Sequence, residues 1–327
     1  MLSLGMLINA VFASLSGTGA NLIPEFDLSS LASPRGFTMT GGGSSVSNAG
    51  DLNGDGIGDI IIGAYWRNSY AGVTTVVFGK KSSAIPNLDL STFTTGRETG
   101  FRIYPAGPGG YSGYSVSKAG DVNGDGVDDV VMGAVLADTS GIVDVGISYV
   151  IFGRRVLSAA DSFTDIQLSD AAMGTDVGFR IIGASASDSA GGSVSCAGDI
   201  NGDGIDDIIV STDLLDNPAF GGNNNAGGAY VVFGRNMTGS AVAFGDVNLL
   251  SFATGSTLGF RILGAAIGDG CGYSVSSAGD INRDGVSDLI IGAIRADPPN
   301  KVANSDAGIV YIIYGRKVTG IENQCHG

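Results

Sequence analysis

Short runs of apolar residues recur along the chain and alternate with polar, glycine-rich stretches. Four of the runs read IIIGA, VVMGA, IIVST and LIIGA, and each is followed by an aromatic residue and a glycine within VVFGK, YVIFGR, YVVFGR or YIIYGR. Short runs that are rich in β-branched residues and bounded by glycine are typical of β-strands. The 55 glycines also argue against long helices. The pattern therefore predicts an all-β protein whose short strands are joined by tight turns.

A nine-residue acidic pattern precedes each of these four runs. It reads DLNGDGIGD from Asp51, DVNGDGVDD from Asp121, DINGDGIDD from Asp199 and DINRDGVSD from Asp280, so successive copies begin 70, 78 and 81 residues apart. Each copy lies in a longer frame that begins with GF(R/T)(I/M) and continues with SVSxAGD. The spacing is too long for leucine-rich or ankyrin repeats and nearer to that of propeller blades. The chain is therefore a repeat protein of four units.

Oxygen-bearing side chains stand at positions one, three, five and nine of each acidic loop. They can converge only if the backbone curls sharply, which the glycine at position six permits. Together with a backbone carbonyl at position seven, they would supply the oxygen ligands that Ca²⁺ prefers, whereas Mg²⁺ demands a tighter octahedron. An EF-hand needs a glutamate at position twelve, and a dockerin-like module an acidic residue; this chain has Ile62, Met132, Val210 and Ile291 there. The loop is therefore expected to join two strands.

These loops, with their flanking FG and GA signatures, resemble the FG-GAP repeats of integrin α-chain β-propellers. The resemblance covers about residues 24–317 and implies an all-β β-propeller of four FG-GAP blades. Such a propeller could close with four blades or form part of a larger one, and a second chain could complete it. The resemblance also implies about four Ca²⁺ ions, held at Asp51, Asn53, Asp55, Ile57 and Asp59; at Asp121, Asn123, Asp125, Val127 and Asp129; at Asp199, Asn201, Asp203, Ile205 and Asp207; and at Asp280, Asn282, Asp284, Val286 and Asp288, where the residue at position seven binds through its carbonyl.

The repeats predict one large domain with short ends. A signal peptide or an N-terminal strand is expected at residues 1–20, the propeller at 21–317 and a C-terminal tail at 318–327. No segment reaches the roughly 18 apolar residues that a membrane span needs. The blades are expected at about 24–80, 86–155, 164–236 and 246–317.

The net charge of −15 is concentrated in the acidic loops. No basic stripe is present that could follow a phosphate backbone, so nucleic-acid binding is not expected. The three cysteines, Cys196, Cys271 and Cys325, lack C-x-x-C spacing and permit at most one internal disulfide. The sequon Asn236-Met237-Thr238 fits a secreted glycoprotein, and the integrin-like frame likewise indicates an extracellular or cell-surface location.

Catalysis is not expected from this sequence. The only histidine is His326, so no Ser-His-Asp or Cys-His site can form in the body of the fold, and calcium accounts for the prominent aspartates. We therefore predict no catalytic residues and no organic cofactor.

The frame indicates a calcium-binding, integrin-α-like module that mediates cell adhesion or protein interaction through an extracellular protein or glycan ligand. Recognition is expected in the irregular segments 135–147, 213–228 and 294–308, and at Trp66 and Tyr70 in the first unit. Exposed rings there could stack on a sugar, so a carbohydrate-binding, lectin-like propeller is the alternative; Trp66 could equally pack between blades. An accessory module of a secreted enzyme is a third interpretation.

Overall fold

The computed structural model describes residues 28–31, 36–82, 85–139, 141–168, 173–174, 176–221, 223–238, 244–252, 256–298 and 306–317. The expected N-terminal segment at 1–20 and C-terminal tail at 318–327 lie outside these residues, and so does Cys325. Two compact units divide the chain: one comprises residues 1–38 and 82–87, and the other residues 39–81 and 88–327. The β-sheets all belong to the second unit.

Short strands dominate the second unit, because β-branched residues alternate with turn-forming glycines along it. The described helical segments are one turn at Arg67–Tyr70 and 3₁₀ turns at Leu28–Ser30, Ala159–Asp161 and Leu249–Ser251. The strands are β1 (Met39–Thr40), β2 (Ser45–Gly50), β3 (Asp59–Gly63), β4 (Thr74–Val77), β5 (Leu88–Asp89), β6 (Gly100–Tyr104), β7 (Ser112–Gly120), β8 (Asp129–Ala134), β9 (Ile147–Ile151), β10 (Ile166–Gln167), β11 (Gly178–Ile182), β12 (Val194–Gly198), β13 (Asp207–Ser211), β14 (Gly228–Val232), β15 (Val247–Asn248), β16 (Gly259–Leu263), β17 (Cys271–Gly279), β18 (Asp288–Ala293) and β19 (Ile309–Ile313).

Four antiparallel sheets follow one another along the chain. Sheet I has the order β2-β3-β4-β6, sheet II β7-β8-β9-β11, sheet III β12-β13-β14-β16 and sheet IV β17-β18-β19. Short parallel strands, β10 and β15, extend the outer edges of sheets I and II, and β1 and β5 form a separate parallel pair. The all-β prediction is confirmed, and the separate small sheets are consistent with a β-propeller. The described strands form no closed sheet.

The sheets are offset by one strand from the sequence repeats. The GF(R/T)I strands β6, β11 and β16 stand early in the second, third and fourth repeats, but they pair with β4, β9 and β14 of the preceding repeat. Sheet I therefore extends to Tyr104, beyond the boundary at 80 expected for the first blade. After each FG pair the chain turns back, and the next GF(R/T)I strand pairs antiparallel with the strand that precedes the FG pair. The spacing of the sequence repeats does not reveal this pairing, because a long segment separates the two strands.

The hydrophobic core lies between consecutive sheets as well as within them. One cluster joins Leu52 and Ile61 of the first repeat to Val130 and Met132 of the second. A second cluster joins the second repeat to the third, and a third cluster joins the third repeat to the fourth. Consecutive repeats therefore depend on each other for burial of their apolar faces. No helix of the described part of the chain has the length and apolar character needed to cross a membrane.

Candidate metal sites and an aromatic surface

The acidic loops occupy equivalent places in the four sheets. Each connects the first strand of its sheet to the second: residues 51–58 join β2 to β3, 121–128 join β7 to β8, 199–206 join β12 to β13, and 280–287 join β17 to β18. The expectation that each loop joins two strands is confirmed. Because the first strand always runs towards its loop, each loop lies at the corresponding end of its sheet.

Within each loop, the side chains at positions one, three and five are held by the loop's own backbone. Asp51 accepts the N–H groups of Asp55 (2.9 Å) and Gly56 (2.8 Å) on its two oxygens. Asn53 Oδ1 also accepts the Asp55 N–H, and its amide donates to Asp55 Oδ2. Asp55 Oδ1 accepts the N–H of Ile57 at 2.9 Å. The same bonds recur in the other three loops.

The aspartate at position nine ties each loop to the rest of its sheet. Asp59 is buried and accepts two backbone N–H groups, from Leu52 at position two (2.9 Å) and from Gly79 of the FG pair (2.8 Å). Asp129, Asp207 and Asp288 make the equivalent two bonds. A buried carboxylate with both oxygens bonded in this way fixes the spacing between the acidic loop and the FG pair.

Glycine is required in the FG pair because the position-eight carbonyl lies against it. A Cβ atom at Gly79 would collide with the carbonyl oxygen of Gly58, and one at Gly153 with that of Asp128. The FG glycines of sheets III and IV have the same neighbour. The FG signature thus has two functions here: its N–H donates to the position-nine aspartate, and its missing side chain lets the loop approach.

The pKa values of the position-nine carboxylates Asp59, Asp129 and Asp207 are raised. Burial raises the pKa of Asp59 to about 6 and the pKa of Asp207 to about 8, and it raises the pKa of Asp129 well above its usual value. The two backbone hydrogen bonds oppose this shift, while the carboxylates at positions five and one of the same loop add to it. The acidic side chains of one loop therefore repel each other's charge.

The donor chemistry of each loop fits a hard cation. Every candidate ligand is an oxygen, and a divalent ion would relieve the repulsion among the three carboxylates. Across the described residues, no three side chains of His, Cys, Asp or Glu are arranged as a metal-binding group. Each loop thus has oxygen ligands that suit a hard cation. In this structure, the carboxylate oxygens at positions one and five instead accept backbone N–H groups of the same loop.

The residue at position eight of the acidic loop has a role that the sequence motif alone does not reveal. Asp128, in the second loop, accepts the backbone N–H of Asp51 in the first loop at 2.9 Å, and it also pairs with Lys118 at 2.8 Å. Asp206, in the third loop, likewise accepts the N–H of Asp121 at 3.1 Å. The doubled aspartate in DVNGDGVDD and DINGDGIDD is the sequence signal from which this contact could have been predicted. The second member of each pair serves its own sheet, and the first member binds the preceding loop.

An aromatic cluster lies at the opposite end of the strands from the acidic loops. The ring centroids of Tyr65 and Tyr111 are 5.4 Å apart, those of Tyr65 and Tyr114 are 5.3 Å apart, and those of Tyr70 and Tyr111 are 5.4 Å apart. We call these four residues the tyrosine cluster. Trp66 lies beside Tyr65 in the chain and is 47% exposed, and Tyr70 is 52% exposed. Packing of Trp66 between blades, one of the two expectations, is therefore not observed.

A cleft of about 390 Å³ adjoins this cluster. Tyr111, Tyr114 and Tyr273 line it together with Ser189, Ser211 and Asp213, and no lysine or arginine is among its lining residues. Burial is the main cause of the raised pKa of Tyr114, to which Tyr273, Tyr65 and Asp213 add. Backbone strain also concentrates here, because Tyr70, Tyr111 and Ser189 have φ values of 65°, 55° and 55°. Such conformations persist where the surroundings fix them, often at functional sites.

Two of the three segments expected to carry recognition contribute to this cleft. Val135 and Leu136 come from the segment 135–147, and Asp213 and Leu214 come from the segment 213–228. Part of the third segment, at 299–305, lies outside the described residues. The tyrosines themselves were not predicted as a group, because Tyr65, Tyr111 and Tyr273 are far apart in the sequence and only the sheet packing brings them together.

Parts of the repeated frame match a known family of sequence repeats. The family model of the FG-GAP repeat matches residues 42–77, 191–232 and 272–313. The chain is an FG-GAP repeat protein. The second acidic loop lies outside the matched ranges, yet sheet II of this FG-GAP protein has the same strand order and loop hydrogen bonds as sheet I.

Integrin alpha chains are similar to this FG-GAP protein, as predicted. It is 27% identical to integrin alpha-V of Gallus gallus over 252 residues, which are 76% of this chain and 20% of that protein. It is 28% identical to integrin alpha pat-2 of Caenorhabditis elegans over 252 residues, which are 76% of this chain and 17% of that protein. The chain therefore spans about a fifth or less of the length of these relatives.

The GA glycine gives the FG-GAP protein room for its next sheet. A Cβ atom at Gly63 would collide with the carbonyl oxygen of Gly113, and one at Gly133 with that of Gly191. In sheet III, Ser211 stands at this position, and its hydroxyl accepts the N–H of Ser193 at 2.7 Å. The IIVST sequence thus departs from the family pattern and adds a local hydrogen bond.

Proposed function

We propose that this FG-GAP protein is a calcium-binding, integrin-α-like module of the cell surface or extracellular space. It mediates cell adhesion or protein interaction and has no enzymatic activity. Its four sheets are FG-GAP blades, and its four acidic loops hold about four Ca²⁺ ions through positions one, three, five and nine and the carbonyl at position seven. The oxygen-only donor set and the repulsion among the carboxylates support this assignment.

In this proposal the loops act as scaffold. Bound calcium would supply the positive charge that the clustered carboxylates of a loop lack. The chain's own residues connect each loop to its surroundings: Asp59 and Gly79 tie the first loop to sheet I, and Asp128 ties the second loop to the first. Recognition is then assigned to the opposite end of the strands, where the sequence is least regular.

The tyrosine cluster and its cleft are the observation on which the proposed recognition function depends. Exposed tyrosines combine large apolar area with a hydroxyl group, and they are enriched at the energetic centres of protein interfaces. Here Tyr70 and Tyr114 are exposed beside the cleft, which also offers the carboxylate of Asp213. A partner that presents apolar and hydrogen-bonding groups to this surface fits its chemistry.

The test is a binding panel of purified extracellular-matrix proteins and cell-surface ectodomains, measured with an optical biosensor in millimolar Ca²⁺. We expect at least one ligand to bind and the variant Tyr111→Ala/Tyr114→Ala to bind it about tenfold or more weakly. Tyr314→Ala is the matched control, because Tyr314 is exposed but lies at the acidic-loop end of sheet IV. A panel without any retained ligand, or equal losses in both variants, would contradict the proposal.

Carbohydrate binding is the second candidate, and the same cleft favours it. Exposed phenol rings offer flat apolar faces, Ser189, Ser211 and Asp213 offer hydrogen-bonding groups, and no lysine or arginine is among the residues that line the cleft. A glycan array distinguishes the two candidates: if glycans are the ligands, wild-type protein binds defined sugars and the Tyr111→Ala/Tyr114→Ala variant does not. An empty array together with a retained protein ligand would exclude the carbohydrate candidate.

We also propose that the protein is extracellular, and the glycosylation sequon at Asn236 allows this location to be tested. Asn236 of the sequon is exposed, and its Oδ1 accepts the N–H of Thr238 at 2.8 Å. When the chain is secreted from eukaryotic cells behind a known signal peptide, we expect its mass to fall on treatment with an N-glycosidase and expect Thr238→Ala to abolish the shift. An unglycosylated wild type would remove this support.

A further inference from the structure

Consecutive sheets of this protein pack through the same positions each time. A valine in the first strand of sheets II, III and IV, which is Val116, Val194 or Val275, is buried against the preceding sheet. The preceding sheet contributes one residue from its acidic loop, one from its second strand and one from its third. These residues are Leu52, Ile61 and Val76 in sheet I; Val122, Val131 and Val150 in sheet II; and Ile200, Ile209 and Val231 in sheet III.

The same positions are exposed on the first and the last sheet. Val46 of sheet I corresponds to the three buried valines but is 67% exposed, against at most 8% for them. Ile281 and Ile312 of sheet IV are 52% and 42% exposed, whereas their equivalents in the other sheets are at most 3% exposed. Sheet I and sheet IV therefore each present one half of an interface that the chain makes three times internally.

The glycines of sheet IV show the same difference. Gly63 and Gly133 leave no room for a Cβ atom because the next sheet lies against them. At Gly292, the equivalent position of sheet IV, the nearest atom to a Cβ would be 3.8 Å away and belongs to Ser274 of the same sheet. The closely approached surface of sheets I and II is thus open on sheet IV.

Sheet IV also has an unpaired edge. The third strands of the other sheets, β4, β9 and β14, pair with β6, β11 and β16, but among the described strands β19 pairs only with β18. Conversely, β1 pairs with β5 alone, in the parallel manner in which β6 pairs with β10. An exposed sheet edge is a template for pairing with another strand.

The strand β1 has the local structure of an outer strand. In sheets I and II, the arginine of GFRI donates its N–H to an aspartate, Arg102 to Asp165 at 2.9 Å and Arg180 to Asp246 at 3.0 Å. Thr38 stands at this position of the first GF(R/T)(I/M) segment and donates to Asn87 Oδ1 at 2.9 Å. Among the described residues, β1 is therefore an outer strand without an inner sheet, and sheet IV is an inner sheet without an outer strand.

We propose that copies of this chain associate head to tail. The exposed face of sheet IV in one copy packs against the Val46 face of sheet I in another, and the segment 36–40 of the second copy adds an outer strand to β19. The register of β14 with β16 gives the expected pairing, in which Ile313 lies opposite Gly36 and Ile309 opposite Thr40. Such an interface is heterologous, since the two contributing surfaces differ.

The proposed contact uses the sheet faces and the strand edge rather than the loop ends. In the first three loops, position four is a glycine, against which Arg155, Asn236 or Lys317 of the next repeat packs. The fourth loop has Arg283 there, with a φ of 63° and an exposed side chain. The proposed interface between copies therefore lacks the contact that a side chain of the next repeat makes with the position-four glycine in the internal interfaces.

The test is analytical ultracentrifugation of the full chain in Ca²⁺, from about 1 µM to about 100 µM. We expect the weight-average mass to rise above the monomer value of 32.8 kDa as concentration increases. Val46→Asp and Ile312→Asp should each abolish this rise, because each damages one half of the interface. Leu250→Asp is the control, since Leu250 is exposed but lies on neither surface. Val310→Lys, at another exposed position of β19, replaces Ile312→Asp if that variant does not fold.

Mixing the two single variants gives the sharpest result. Val46→Asp retains an intact sheet IV and Ile312→Asp retains an intact sheet I, so an equimolar mixture should recover a dimer. A contact between identical surfaces would not be recovered in this way. A wild type that stays monomeric throughout the range, single variants that still associate, or a mixture that stays monomeric would each overturn the proposal.

Discussion

The backbone N–H of Gly79 donates to Oδ1 of Asp59 at 2.8 Å and thereby joins the FG pair to the last residue of the acidic loop. Equivalent bonds link Gly153 to Asp129, Gly234 to Asp207 and Gly315 to Asp288. The two most recognisable parts of the repeat, which lie about twenty to thirty residues apart in sequence, are thus one hydrogen-bonded unit.

Removal of the position-nine carboxylate should destabilise the protein even without calcium. In Asp59→Ala, the N–H groups of Leu52 and Gly79 lose their acceptor in a buried site, which should lower the free energy of unfolding by about 2–4 kcal/mol. Urea denaturation in EDTA measures this change. Asp55→Ala is the matched control, because Asp55 is exposed in the same loop and should change stability much less. Equal losses would mean that the buried pair of hydrogen bonds is unimportant.

A side chain on the FG glycine should be poorly tolerated. In Gly153→Ala, the added Cβ would collide with the carbonyl oxygen of Asp128, so we expect a loss of about 1–3 kcal/mol in the free energy of unfolding. Gly107→Ala is the control, since a Cβ there would meet no atom within 4 Å. Thermal and urea unfolding of both variants provide the measurement, and a Gly153→Ala variant as stable as wild type would contradict the steric explanation.

Asp188 should make stability depend on pH independently of the acidic loops. Burial is the main cause that raises its pKa from 3.8 to about 6, the nearby Asp216 adds to the shift, and a hydrogen bond from the Ser185 N–H opposes it. The folded state therefore binds more protons than the unfolded state between these values, so this contribution to stability falls as pH rises from about 4 to about 6. Asp188→Asn should be more stable than wild type by about 1–2 kcal/mol at pH 7 and similar at pH 4.

The difference in the free energy of unfolding between wild type and Asp188→Asn, measured across this pH range, reports the titration of Asp188 alone. The contributions of the other carboxyl groups are common to both proteins and cancel. Asp161→Asn provides a comparison of opposite sign, because the hydrogen bonds from Ser158 lower the pKa of Asp161. In that variant, any loss of stability should appear above the pKa and vanish in acid. A difference curve for Asp188→Asn that does not change with pH would contradict the assignment.

Calcium should bind at about four sites and raise the melting temperature. A ligand that binds only the folded state at a hundred times its Kd adds about 2.7 kcal/mol per site. Titration calorimetry on chelator-stripped protein, with melts in EDTA and in excess Ca²⁺, measures both effects. Asp125→Ala should remove about one site from the stoichiometry. The absence of heat, or a melt indifferent to Ca²⁺, would show that the loops are turns stabilised by their own hydrogen bonds.

The repeated strands were predictable because each carries its own signal in a few consecutive residues. The runs IIIGA and VVMGA form β3 and β8, and the acidic loops precede them as the spacing requires. The partner of each GF(R/T)I strand was not predictable, because pairing of β6 with β4 depends on how the chain returns after Gly79. Sequence periodicity reports which residues repeat, and it does not report which repeat they pair with.

The proposed recognition surface was predictable only in part. Trp66 and Tyr70 stand out in a short segment and are indeed exposed, since the turn that carries them projects from the end of sheet I. The stacking of Tyr65 on Tyr111 depends on the packing of sheet II against sheet I, which no local pattern specifies. For the same reason, the bond from Asp51 to Asp128 was invisible in the motif, although both aspartates belong to it.

That bond between neighbouring loops has a direction. Asp128 and Asp206 each reach back to the loop before their own, whereas the first loop has Gly58 at this position and nothing with which to reach. Melting of either loop would break this one bond, so the stability of each loop depends on the order of its neighbour to the same extent. Loss of order in the second loop should therefore weaken its neighbours on both sides, so that the first three loops respond as a connected series rather than as independent elements.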